Sequence, residues 1–447
     1  MIRRLIRGIL RIALRVYFRR IEVTGLENVP PDSPVIFVLN HPNALVDPAF
    51  LLCLAPRRVA FVAKAPLFRM PVIGYLVRAL DSLPAYRRQD EGEDVSRNIE
   101  TFAAARKLLA RGVTIGICPE GVSHDEPRLK PLKTGAARIA LAAASSGEAL
   151  NLQIVPVGLY YTEKTTFRSS ALLYFAEGLP VEPVVLEADG TPPRAAVREL
   201  SDRIEKALRE VMLHAEQEEA LSLIDRAERI FSAAEAGEQE QDLARSLELR
   251  QRFLAGYAFY RGHSPRRLDA IEARIARFEY EMKQAGIDPS DLSLPPTAAH
   301  TVFGLVAQIF TCVLLAPFAL FGTLVHYPAY RFGGFLSRRL ARREQDVLST
   351  LKIISAMLFF PLTWIVVAAI SWALAGWLAG VSALIITPLC GYVAVRFFEE
   401  IDRFVGSFVA LALFVMRRRS FVRLLAERAA IRREILALGD EAALKTN

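Results

Sequence analysis

His41 and Asp47 stand six positions apart in Asn40-His41-Pro42-Asn43-Ala44-Leu45-Val46-Asp47, just after the apolar run Val35-Ile36-Phe37-Val38-Leu39. A neutral imidazole, with an ordinary pKa of about 6.5, can take a proton from an alcohol. A carboxylate bonded to its other nitrogen fixes the tautomer and stabilises the imidazolium. Successive helical residues rotate by roughly 100°, so this pair cannot share one face of a regular helix and meets only across a turn. Pro42 and Pro48 both favour such a turn. The same residues would also suit a capped loop with a surface histidine and an aspartate opening a helix.

A second block adds charge. Gly112-Val113-Thr114-Ile115-Gly116-Ile117-Cys118 reads as a buried strand that delivers Pro119-Glu120-Gly121-Val122-Ser123-His124-Asp125 to its C-terminal end, where binding loops of open α/β sheets lie. Arg128, Lys130 and Lys133 follow, ahead of an Ala-rich helix expected from about Ala136 to Ala144. Backbone N–H groups at a helix start, with lysine nearby, make an anion site. A solvated basic loop is the plainer alternative.

On these residues the chain resembles the phospholipid/glycerol acyltransferase family, and most closely its fungal-type glycerol-3-phosphate/dihydroxyacetone-phosphate branch. The wider family has Asn-His-x4-Asp. Here one more residue separates His41 from Asp47, in the His-x-Asn-x-x-Val-Asp-Pro form similar to that branch. Leu83-Pro84-Ala85-Tyr86-Arg87 matches the second motif, with Arg87 as the counterpart of its arginine. Pro119-Glu120-Gly121 and Lys133 match the third, although Val122-Ser123-His124 replaces its arginine. Arg87, Lys130, Lys133 and Arg138 must then supply the positive charge. Ile154-Val155-Pro156-Val157-Gly158-Leu159 matches the fourth, and Phe167-Arg168-Ser169 follows it. The resemblance covers residues 20 to 190 strongly and the helical segment beyond weakly.

The resemblance implies an α/β fold, a mixed sheet flanked by helices. It implies catalytic roles for His41 and Asp47, and substrate binding by Arg87, Glu120, Gly121, Ser123, Lys130 and Lys133. It also implies acyl transfer from an acyl thioester, acyl-CoA or acyl carrier protein, to glycerol 3-phosphate. Lysophosphatidate is the rival acceptor, and a non-catalytic lipid-binding membrane protein the rival of another class. A thioester is electrophilic enough for a positioned alcohol to need only general-base help, worth about 10²–10⁴ in rate. Fixing the acceptor phosphate can lower the barrier by up to roughly 7–11 kcal/mol. Glu120 would repel that phosphate, so it is expected to bond loop N–H groups or a glycerol hydroxyl. An apolar tunnel for the acyl chain would contribute about 0.8 kcal/mol per buried methylene.

No metal or cofactor is expected, because Cys53, Cys118, Cys312 and Cys390 show no paired spacing and no two histidines have ligand spacing. Cys118 reads as a small buried hydrophobe. A net charge of +8 could suggest nucleic acid, but no aromatic-basic platform or recognised fold motif accompanies it. The basic residues sit instead where a bilayer would want them. Arg3, Arg4, Arg7, Arg11, Arg15, Arg19 and Arg20 alternate with Ile, Leu, Val and Phe in residues 1–20, giving a cationic amphipathic helix suited to the headgroup layer.

The remaining organisation reads as a catalytic domain over 21–190, a helical region over 191–296 with a linker at Asp288 to Pro296, a hydrophobic membrane region over 297–400, and an amphipathic tail over 401–447. Thr301 to Val325 and Ile353 to Leu378 are each long enough to cross about 30 Å of hydrocarbon, and Val381 to Val395 follows closely. Gly376 to Gly380 would turn a tight helical hairpin. Phe404 to Met416 is too short to span alone. Arg331, Arg338, Arg339, Arg342, Arg343 and Lys352 place the loop between the first two segments on the cytoplasmic side, where the basic N-terminus and catalytic domain are also expected. Pro317 is expected to break 301–325 into a re-entrant turn, which keeps both on one side.

Overall fold

The computed structural model describes residues 2–126, 128–146, 151–213, 220, 223–224, 226–227, 243–285, 298–342, 344–416 and 418–446. The chain forms two compact units, Met1–His214 with Ser337–Ile353, and Ala215–Leu336 with Ile354–Asn447.

The first unit is a mixed eight-stranded sheet between helices. Its strands are β1 (Arg20–Thr24), β2 (Val35–Leu39), β3 (Val59–Lys64), β4 (Leu83–Ala85), β5 (Thr114–Ile117), β6 (Gln153–Tyr161), β7 (Ser170–Phe175) and β8 (Leu179–Pro180). They run in the order β1-β7-β6-β2-β5-β3-β4, with β8 beside β6. β6, β2, β5, β3 and β4 are mutually parallel, and the antiparallel β7 brings β1 in at the edge. The parallel ladder brings all five C-terminal ends to one edge: Val38 pairs with Ile117, and Leu39 with Val157.

Alternation along the strands divides the core in two. Ile36, Val38, Ile115, Ile117 and Ile154 face helices α4 (Asn98–Ala110), α5 (Gly135–Ser145) and α6 (Arg194–Val211). Val35, Phe37, Leu39, Val155, Val157 and Leu159 face α1 (Ile2–Tyr17) and α2 (Val46–Leu54). The short α3 (Pro71–Ala79) lies beside α1.

One boundary is corrected here. The catalytic domain does not end at 190: Val197, Leu200, Ile204, Leu208 and Val211 form the buried stripe of α6 against the sheet, because spacings of three and four put them on one helical face. Gly158 allows that approach, since a Cβ there would lie 1.9 Å from the Val211 carbonyl oxygen. Gly158→Ala is expected to cost about 1–3 kcal/mol through overpacking, read as a lower thermal midpoint.

Some arginines of α1 turn toward the sheet-bearing unit: Arg3 donates to the Val59 and Leu80 carbonyls and pairs with Asp81 at 2.7 Å, while Arg7 and Arg11 reach the Cys53 carbonyl. Cys53 lies in the last turn of α2, where helical carbonyls lack intrahelical donors and attract cations. Ile2, Leu5, Ile9, Ile12 and Val16 are exposed instead.

The second unit is helical. It contains α7 (Leu243–His263), α8 (Pro265–Ala285), most of α9 (Ala298–Leu340), the larger part of α10 (Gln345–Ala375), α11 (Trp377–Met416) and α12 (Arg418–Thr446). Among the described residues, three helices are long and apolar enough to cross a membrane: Val306–Leu340, Gln345–Ala375 and Trp377–Asp402. Pro317 does not break the first. α9 continues through both Pro317 and Pro328, so the re-entrant expectation is replaced by one continuous helix. A proline removes one helical hydrogen bond, a loss that apolar helices tolerate where neighbouring groups compensate.

Gly376, at φ +85°, separates α10 from α11 in the left-handed conformation expected of a helix stop. Phe404 to Met416 is not a separate stretch but the end of α11. Within this unit Trp364 donates its indole N–H to His326 Nε2 at 2.8 Å, and His326 Nδ1 donates to the Gly322 carbonyl, tying α9 to α10. The expected linker at Asp288 to Pro296 lies outside the described residues, as does Arg343.

Candidate active site

The loop from β2 to α2 is short and strained. Ala44 takes φ +37°, a conformation that a residue with a Cβ adopts at a cost. This turn brings Asp47, in the first turn of α2, back beside His41, with His41 Nδ1 and Asp47 Oδ2 2.8 Å apart. Asp47 is fully buried and its carboxylate is bonded on every side: the Asn43 backbone N–H donates to Oδ2 at 2.7 Å, and the Tyr161 hydroxyl donates to Oδ1 at 2.7 Å. Asn40 braces the start of the loop through paired bonds to the Leu159 N–H and C=O of β6.

With Nδ1–H donating to Asp47, the lone pair of His41 lies on Nε2, where an alcohol proton would be taken. The imidazole side chain keeps 19% exposure while Asp47 keeps none. Burial favours the neutral ring, yet the Cys118 sulfur and the Asp47 carboxylate outweigh it and hold the His41 pKa well above its ordinary value. The direction follows from an ionised partner at hydrogen-bonding distance. Burial and the Asp47 charge push the Tyr161 phenol well up, so it remains a donor.

The loop after β5 closes on the first. Glu120, 2% exposed, accepts the His41 N–H at 3.3 Å and the Lys130 N–H at 2.8 Å, and pairs with His124 Nε2. The His124 N–H returns a bond to the His41 carbonyl at 3.2 Å. Gly121 makes the turn at φ +73°, a left-handed conformation that glycine adopts without steric cost. The Lys133 N–H bonds the Pro119 carbonyl at 2.7 Å, which brings the start of the next helix to the same edge.

A family model described as Acyltransferase matches residues 20–160, and one described as Glycerol-3-phosphate acyltransferase 2 C-terminal domain matches residues 223–443. The chain is thus similar to an acyltransferase domain followed by a glycerol-3-phosphate acyltransferase 2 C-terminal domain. It is 24% identical to an uncharacterised acyltransferase of Schizosaccharomyces pombe, over 80% of this chain and 66% of the relative. It is 25% identical to glycerol-3-phosphate O-acyltransferase 1 of Saccharomyces cerevisiae, over 78% of this chain and 58% of the relative. A 1-acyl-sn-glycerol-3-phosphate acyltransferase of Borreliella burgdorferi is 29% identical over 40% of this chain and 64% of its own length. The chain thus spans less than two thirds of these relatives. A solved lysophosphatidate acyltransferase from Thermotoga maritima is similar with a TM-score of 0.33 and 20% identity, covering 45% of this chain and 78% of that one.

The side chains expected to bind substrate sit around the His41 loop, but several are already engaged. Arg87, just beyond β4, forms a two-point bond with Asp90, Nε to Oδ2 at 2.7 Å and Nη2 to Oδ1 at 2.5 Å, and its Nη1 donates to the Gly121 carbonyl. Lys130 pairs with Glu126 at 3.2 Å. The Ser123 hydroxyl is committed to Asp346, whereas Lys133 and Arg138 are exposed. Glu120 bonds loop N–H groups, one of its two expected partners.

Sequence reasoning passed over Tyr161 and Lys164. Lys164 pairs with Asp125 at 2.5 Å and reaches the Pro42 carbonyl at 3.4 Å, placing a further cation beside the His41 loop. Tyr161 closes β6, and its position at the C-terminal end of a strand parallel to β2 was the available signal.

Tyr161→Phe leaves Asp47 with one donor fewer, so more of its charge falls on His41 and the His41 pKa rises further. Bonds to charged groups contribute about 1.5–3 kcal/mol, and part of that loss is expected to slow the reaction about three- to tenfold at neutral pH. The acid limb of the pH–rate profile should move to higher pH. An unchanged limb would separate Tyr161 from the pair.

Proposed function

We propose that the chain transfers a fatty acyl group from an acyl thioester, acyl-CoA or acyl-acyl carrier protein, to the hydroxyl of glycerol 3-phosphate. The supporting observation is the His41–Asp47 pair at the C-terminal end of β2, with Arg87, Lys130, Lys133 and Lys164 on the surrounding loops. His41 Nε2 takes the hydroxyl proton as the oxygen attacks the thioester carbonyl. The carbon–sulfur bond then breaks, and the imidazolium returns the proton to the departing thiolate. Asp47 stabilises the imidazolium between these steps. No covalent enzyme intermediate is needed, so Cys118, whose side chain hydrogen-bonds the His41 ring, need not act as a nucleophile.

An acceptor phosphate would draw Arg87 partly away from Asp90, since guanidinium can hold a phosphate at two points and ammonium acts as a point charge. Lysophosphatidate is a second reading, favoured by the match to the Borreliella burgdorferi protein. Dihydroxyacetone phosphate offers a hydroxyl and phosphate of the same class. The enzyme works at a membrane, with the catalytic unit on the cytoplasmic face; Arg338 and Arg339, in the last turn of α9 and within that unit's Ser337–Ile353 segment, support the assignment.

The decisive experiment offers radiolabelled palmitoyl thioester with each acceptor to the full chain in phospholipid nanodiscs. Labelling of glycerol 3-phosphate supports the first reading. Labelling of lysophosphatidate alone reverses the choice of acceptor, and lipid binding without turnover would leave a non-catalytic protein. The base must be neutral, so kcat/KM should rise with pH until it passes the raised His41 pKa. Asp47→Asn removes the charge that raises it, and the acid limb should move to lower pH even as the rate falls.

A further inference from the structure

The chain returns to the sheet-bearing unit through Ser337–Ile353, and Asp346 lies 223 positions beyond its partner Ser123. The first two turns of α10 bond three separate loops there. The Ser123 hydroxyl donates to the Asp346 carboxylate, and the Gln345 N–H donates to Asp125 Oδ2 at 3.1 Å, both on the Glu120 loop. The Leu45 N–H, in the middle of the His41–Asp47 turn, donates to Thr350 Oγ1 at 3.2 Å. Ser349 donates to the Lys164 carbonyl and accepts from the Tyr17 hydroxyl at 3.4 Å. Lys352 Nζ donates to the Thr165 carbonyl at 2.7 Å, on the loop after β6.

Asp346, Ser349 and Thr350 are all buried, at 8%, 0% and 6% exposure. Polar side chains leave water at a cost unless they are bonded, so these contacts are held rather than incidental. Ile353, one turn on, enters the apolar core beneath these loops.

We infer that Asp346 and Thr350 are positioning residues for the acyl transfer, locking the His41 and Glu120 loops together from the start of α10. Neither touches the reacting atoms in this scheme. Asp346 acts through Ser123, which therefore serves the geometry of the Glu120 loop rather than the substrate. Thr350 acts through Leu45 on the strained turn that sets His41 against Asp47. The inference rests on the acyl-transfer reading for its kinetic consequences, but the locking itself can be measured without turnover.

The test uses the full chain in phospholipid nanodiscs. Asp346→Ala is expected to lower kcat about tenfold while the acceptor KM changes less than about twofold, because loop placement rather than substrate affinity is lost. Ser123→Ala should lose the same amount, and the double variant no more than either single one. Asp346→Asn keeps an acceptor for the Ser123 hydroxyl and should recover most of the rate.

Amide hydrogen exchange supplies the second readout. In Asp346→Ala the amides of 121–125 should exchange faster, and in Thr350→Val those of 43–47, while β2 and β6 stay protected. Additive losses from Ser123→Ala and Asp346→Ala, or unchanged exchange in both loops, would overturn the inference. If wild type transfers no acyl group but the loops loosen as expected, the locking stands and the acyl-transfer reading fails. A drop in thermal midpoint with exchange raised across the whole sheet would show an ordinary structural role and reject it.

Discussion

His41→Ala is expected to lower kcat/KM for acyl transfer by about 10²–10⁴-fold with little change in thermal midpoint. The effect is large because one nitrogen both receives the hydroxyl proton and returns it to the thiolate. It leaves the fold alone because the ring is partly exposed, and the loop is held by Asn40, Glu120 and Thr350 through backbone groups and the Asn40 amide. His41→Gln, which can still donate a hydrogen bond, should be no better than alanine. Radiolabelled product formed at the wild-type rate by either variant would remove His41 from the mechanism.

Glu120→Ala should damage both activity and stability. Its carboxylate is the shared acceptor for the His41 N–H, the Lys130 N–H and His124 Nε2, in a place that water does not reach freely. Removing one member of a buried pair commonly costs 3–5 kcal/mol, about the scale expected here, because the remaining groups stay desolvated and unbonded. The loops after β2 and β5 would part, and turnover should fall at least as far as in His41→Ala. Urea unfolding measures the first effect and the radiolabel assay the second. Glu120→Gln retains one carbonyl acceptor and should lie between. Near-normal stability of the alanine variant would mean that the two loops are held by other contacts.

The parts of this protein that were legible in the sequence are those written locally. Val35 to Leu39 is a continuous apolar run, and it forms β2 over those same residues. The Pro119-Glu120-Gly121 turn follows an apolar strand, and β5 delivers it to the edge where β2 delivers His41. The Ala-rich helix begins at Gly135, one residue before its expected start. Gly376 stops a helix because its left-handed conformation disfavours a side chain.

What was missed depends on contacts between distant residues. Tyr161 reaches Asp47 across 114 positions and Asp346 reaches Ser123 across 223, and no spacing rule announces either. The charge pattern of α1 suggested arginines directed toward lipid headgroups. The sequence does not reveal that the Cys53, Val59 and Leu80 carbonyls need donors on the inner side. The end of the catalytic domain was misplaced for a similar reason. The helical region over 191–296 read as separate from the sheet, whereas its first helix, α6, lays an apolar stripe across it.

The bond between Leu45 and Thr350 carries a consequence for how the folded site comes into being. A ribosome that has finished the last sheet strand has made His41, Asp47 and Glu120, but it must add some 170 more residues before the turn around His41 gains its final donor–acceptor pair. By then the first long hydrophobic helix has already been synthesised. The order of synthesis thus delays a finished centre until the nascent chain carries its first helix long and apolar enough to cross a bilayer.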